Sequence, residues 1–102
     1  MKDIIDVIGK PAMLEGLAEE AAELAQAALK LARNLRGENP TNSNEIVCTI
    51  HLAEEIADVE WYIEQLGDVV DRDTVECVKV HKQQRACKRL ELASQDDSDD
   101  LG

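Results

Sequence analysis

The feature that most limits what this chain folds into is a long run of apolar residues at intervals of three and four. From Leu14 it passes through Leu17, Ala18, Ala21, Leu24, Ala25, Ala28, Leu31 and Ala32 to Leu35, the period of one face of an α-helix. Pro11 suits the first turn of that helix, where its missing N–H costs nothing, and Gly37 stops it.

A second pattern of the same kind follows the turn-rich GENPTNSN, in which Asn42 and Glu45 three residues later read as a capping box. Its seam runs Cys48, Leu52, Ile56, Val59, Ile63 and Leu66, starting near Ser43 and ending at Gly67. Asp73 with Glu76 then reads as the cap of a third helix, from about Thr74 to Leu92. Residues 1–9 carry Ile4, Ile5, Val7 and Ile8, which suit either a short helix or an extended arm.

These spacings predict an all-α fold: a helical hairpin plus a third helix. From Ala93 the composition turns to SQDDSDDLG, polar, acidic and without periodicity, and is expected to be a disordered acidic tail over residues 93–102. Residues 1–92 then make a single helical domain. A helix of about 25 residues is ~37 Å long, so two such helices and a shorter third leave one apolar side uncovered. Homo-oligomerisation would complete them into a four-helix-type bundle.

A formal net charge of −11 argues against nucleic acid or an anionic membrane as a direct partner, since both are polyanions. No apolar run approaches the ~20 residues that span a bilayer, and no charged-then-apolar leader is present. The expectation is a soluble, cytoplasmic protein. Cys48, Cys77 and Cys87 are odd in number and lack a Cys-x-x-Cys spacing, so they are expected to be reduced, part-buried thiols.

Two short acidic motifs stand out against this helical frame, EEAAE at residues 19–23 and EEIAD at residues 54–58. Glu20 and Glu23 stand three apart, as do Glu55 and Asp58, so each pair shares a helix face. In an antiparallel hairpin the pairs converge, and four carboxylates repel unless a cation neutralises them. All-oxygen ligation favours magnesium, calcium or manganese over zinc or copper.

Glu55 falls at the edge of the second seam, where a pattern made only for packing would not place a charge. His51, Glu55, Asp58 and Tyr62 form one polar stripe beside that seam, with His51 read as a structural residue outside the metal set. On the first helix Glu20 and Glu23 share a strip with Gly16, Ala27 and Lys30, small neighbours expected to leave room for a ligand. The third helix is basic, with Lys79, Lys82, Arg85, Lys88 and Arg89. Carboxylates for a cation and basic groups for phosphates together suit a metal–triphosphate substrate.

The chain resembles the MazG-like, all-α nucleoside triphosphate pyrophosphohydrolases, whose motif is EExxE followed by ExxD on the next helix. Glu19, Glu20 and Glu23 match the first half, Glu55 and Asp58 the second, in the contexts LAEEAAELAQ and LAEEIADVEWYIEQL. The likeness covers roughly residues 14–90. Lys79, Lys82 and Gln83 match the family's KxxKN element in spacing, with Gln where Asn is usual.

This resemblance implies cleavage of a nucleoside or deoxynucleoside triphosphate to the monophosphate and pyrophosphate, in nucleotide-pool housecleaning. It implies a requirement for magnesium, for which manganese substitutes, and a homodimer or homotetramer. On that basis Glu20, Glu23, Glu55 and Asp58 hold the metal, and Glu19 or Glu54 takes the proton of the attacking water. Lys79, Lys82 and Gln83 meet the phosphates, and Trp61 or Tyr62 borders the nucleoside. The rival reading is a non-enzymatic acidic helical module that mimics nucleic acid or binds a basic protein, which would not require the four carboxylates to converge.

Overall fold

A computed structural model describes residues 3–38 and 44–101, with side chains placed through residue 92. All the secondary structure among the described residues is helical: α1 (Ile4–Ile8), α2 (Lys10–Arg36), α3 (Glu45–Gln65) and α4 (Arg72–Leu101). None of these helices is long and apolar enough to cross a membrane. The chain divides into two compact units, Met1–Val69 and Val70–Gly102.

Ile4–Ile8 form a short helix rather than an arm. Asp3 and Asp6 cap α1 reciprocally, the Asp3 amide donating to Asp6 Oδ2 at 3.3 Å. Gly9, at φ 91°, turns the chain into α2 in a conformation that a side chain would strain, and Pro11 lies in the first turn as expected. At the far end Gly37 takes the left-handed conformation, φ 70° and ψ 15°, and its N–H returns to the Asn34 carbonyl at 3.1 Å. That is how a glycine satisfies carbonyls the helix end leaves open.

The start of α3 differs from the sequence expectation. Its N-cap is Asn44, whose Oδ1 accepts from the Val47 N–H at 2.9 Å; Asn42, read as the cap, lies outside the described residues. The C-cap is Leu66, one residue before Gly67.

In the second unit the start is likewise displaced. Asp71, not Asp73, supplies the capping carboxylate, accepting from the Asp73 N–H at 3.3 Å and the Thr74 hydroxyl at 3.0 Å. Helix α4 also continues past Leu92 to Leu101, since each added residue of a formed helix gains a backbone bond once nucleation is complete.

Within the first unit α2 packs along α3, and α1 rests on α2. The two long helices are antiparallel: Met13 and Leu17, near the start of α2, pack with Tyr62 and Leu66, at the end of α3, around Ile5 of α1. Ala27 and Cys48 are buried toward the other end.

Burial corrects the expected seams. On α3 the inward face is Cys48, Leu52, Glu55, Val59, Tyr62 and Leu66, while Ile56 and Ile63 stay 41% and 37% exposed. On α2 it is Met13, Gly16, Leu17, Glu20, Leu24 and Ala27, with Ala18, Ala21, Ala25 and Ala28 outside. Both helices are turned toward their acidic strip. Hydrophobicity alone selects the isoleucines; the fit of Tyr62 against Gly16 selects the neighbouring strip. The room expected beside Gly16 is therefore filled by the Tyr62 ring. Of the three thiols, Cys48 is buried while Cys77 and Cys87 are exposed.

Candidate metal centre

The antiparallel packing of α2 on α3 determines which carboxylates meet. With Gly16 beside Tyr62, Glu20 and Glu23 lie one and two turns further along α2, at the level that Asp58 and Glu55 reach on α3. Glu20, Glu23 and Glu55 each present a carboxylate oxygen, and these atoms all lie within 4.8 Å of one another. The expected set is thus brought together in three of its four members. Asp58 is exposed and lies outside that cluster, acting on it as a nearby charge.

Burial sets Glu55 apart from an ordinary acidic surface, while Glu20 is half-buried and Glu23 exposed. Glu55 is only 9% exposed, and the Oε2 atoms of Glu20 and Glu55 are buried without a hydrogen-bond partner. Leaving a buried polar atom unpaired is unfavourable, and more so for a charged group. Among the described residues no Lys or Arg lies within 4.0 Å of any of the three.

The Glu20 carboxyl is pushed above its ordinary value, first by burial and then by the charges of Glu23 and Asp58, a hydrogen bond with Glu23, and the charge of Glu55. Each of these disfavours the ionised form. The donor set is all oxygen and anionic, and two of its atoms lack partners. A hard divalent cation fits it: such an ion takes carboxylate oxygens and removes the repulsion together.

His51 adds a contact that the sequence reading did not use. Its Nε2 stands 3.3 Å from Glu55 Oε1, one helical turn earlier on α3. The interval of four between His51 and Glu55 was the signal for it, visible in the polar stripe but without a partner to give it meaning.

The remaining predicted residues are distributed more widely. Glu19 and Glu54 are exposed beside the cluster in sequence. Trp61 is exposed and meets the Tyr62 ring edge-on, with centroids 4.9 Å apart at 87°, while Tyr62 is packed against the core. On α4, Lys79 and Gln83 line one shallow hollow with Glu76 and Val80, and Lys82 lines another with Arg85 and Arg89. Lys79 Nζ also pairs with Glu76 Oε1 at 3.4 Å, and Gln83 Nε2 lies 3.6 Å from Cys87 Sγ.

Compared with models of protein families, with curated proteins and with solved structures, the chain matches none.

Proposed function

We propose that this chain is a magnesium-dependent nucleoside triphosphate pyrophosphohydrolase, cleaving between the α and β phosphates to give the monophosphate and pyrophosphate. The observation that carries the metal-dependent part is the convergence of Glu20, Glu23 and Glu55 with two buried, unpartnered oxygens. The choice of bond and substrate rests on the likeness of EEAAE and EEIAD to the MazG-like motif.

Glu20, Glu23 and Glu55, with Asp58 beside them, hold the ion. A bound magnesium or manganese supplies charge neutralisation on the phosphate oxygens and orientation for a water. Glu19 or Glu54 accepts that water's proton as its oxygen bonds to the α-phosphorus and the bond to the bridging oxygen breaks, so that pyrophosphate leaves. Lys79, Lys82 and Gln83 bind phosphate oxygens, and Trp61 or Tyr62 borders the nucleoside.

The working unit in this reading is a homodimer or homotetramer in the cytoplasm. Its support is the apolar surface left exposed on α3, Ile46 and Ile50 four residues apart and Ile56 and Ile63 seven apart, since exposed apolar surface is covered when copies associate.

The test is a panel of canonical nucleoside triphosphates with magnesium, assayed for pyrophosphate release by wild type and Glu55→Gln in parallel. Release by wild type alone supports the proposal. Orthophosphate in place of pyrophosphate means that another bond is cut, and no release with either magnesium or manganese refutes it.

A further inference from the structure

We infer that His51 is a positioning residue for this metal centre: its imidazole holds one oxygen of Glu55 so that the other is directed at the cation. The inference rests on the cluster being a cation site and adds to it a residue that the carboxylate pattern leaves out.

Glu55 is unequal at its two oxygens. Oε1 has the His51 Nε2 at 3.3 Å, whereas Oε2 is buried with no partner. The terminal torsion of a glutamate is soft and nearly two-fold, so a carboxylate with both oxygens free turns readily. The His51 ring nitrogen beside Oε1 favours one heading of the carboxylate, and with it the heading of Oε2. Groups that orient a ligand in this way commonly change metal affinity 10–100-fold when removed.

The geometry separates holding from ligation. The three glutamates form a cluster in which all ligand atoms lie within 4.8 Å, and no His51 nitrogen belongs to it. His51 is 46% exposed along its side chain and reaches Glu55 from the same helix, four residues back. The contact therefore needs nothing but α3 to form, and replacing His51 removes little packing. Glu20 and Glu23 both come from α2, so Glu55, the one member of the cluster on α3, is the one given a separate hold.

The experiment is calorimetric titration of Mn2+ into the full chain as wild type, His51→Ala, His51→Gln and Glu55→Gln, with pulsed EPR of the Mn2+-loaded wild type. We expect His51→Ala to weaken binding roughly 10-fold or more, with an unchanged melting temperature in chelator. His51→Gln, whose amide N–H spans a similar distance, should restore most of the affinity. The EPR spectrum should show no imidazole nitrogen coupled to the ion.

Wild-type affinity in His51→Ala overturns the inference, as does a nitrogen coupling, which would make His51 a ligand. Failure of the cation site itself gives a different pattern: wild type binds no Mn2+, or Glu55→Gln binds it as tightly. That outcome overturns both readings together.

Discussion

Gly16 and Tyr62 lock α2 against α3: a methyl group added at Gly16 would stand 2.7 Å from the Tyr62 Cζ and hydroxyl oxygen. No real Cβ tolerates that approach. The pair is also the reference point for the acidic cluster, because the levels of Glu20, Glu23 and Glu55 along the hairpin follow from it.

Gly16→Ala is therefore expected to destabilise the protein, although alanine favours an exposed helix interior by about 1 kcal/mol over glycine. Overpacking of this kind costs typically 1–3 kcal/mol, so the net loss should be about 1 kcal/mol in urea denaturation. Adding Tyr62→Leu should recover part of it. Two losses that simply add would mean that the ring yields freely.

Magnesium should raise the melting temperature of the wild type. At a free concentration 100 times Kd the gain is about 2.7 kcal/mol, or roughly 10–20 °C at the 4–8 °C per kcal/mol of a small domain. Glu55→Gln should abolish the rise, and an equal rise in that variant would remove Glu55 from the site.

The raised Glu20 carboxyl fixes the sign of a pH effect in the metal-free protein. Between the ordinary glutamate pKa, about 4.3, and its higher folded value, the folded chain binds more protons than the unfolded one. Stability then falls as pH rises through that window; the penalty is absent below it and complete above it. The difference in melting temperature between Glu20→Gln and wild type, measured in chelator, should grow as pH rises from 4 and then level off. A difference independent of pH would show that Glu20 titrates normally.

Asn44→Ala should cost about 1 kcal/mol, the usual value of an N-cap that satisfies an amide of the first turn, while Asn44→Asp should be close to neutral. Thermal melts of the two variants distinguish this from a loop position, where both would be silent.

Thiol labelling should separate the cysteines. In the native protein Cys77 and Cys87 are exposed and should react at once, while Cys48 is buried and should react only as the hairpin opens. Fast modification of all three would mean that α3 is not packed as described.

Much of this was legible in the sequence. The period of three and four in Leu17, Leu24 and Leu31, and in Cys48, Leu52 and Val59, sets helices because only a helix brings such residues to one side. Gly37 and Pro11 bounded α2 for local reasons of backbone geometry and needed no partner to do so. The carboxylate pairs at intervals of three likewise announced themselves, since that spacing fixes a shared face.

What the tertiary structure alone decided is rotation and register. Ile56 and Glu55 are neighbours in sequence, and both border the apolar strip; the sequence favours Ile56 inside, yet Glu55 is the residue that is buried. Tyr62 nesting on Gly16 turns α3 to that side, and the same turn sets Glu55 beside Glu20 and Glu23. A helix repeats its own periodicity without reference to its neighbour, so the chain could specify which residues share a face. Which face meets which, and at what level, depends on how side chains of two distant segments fit together.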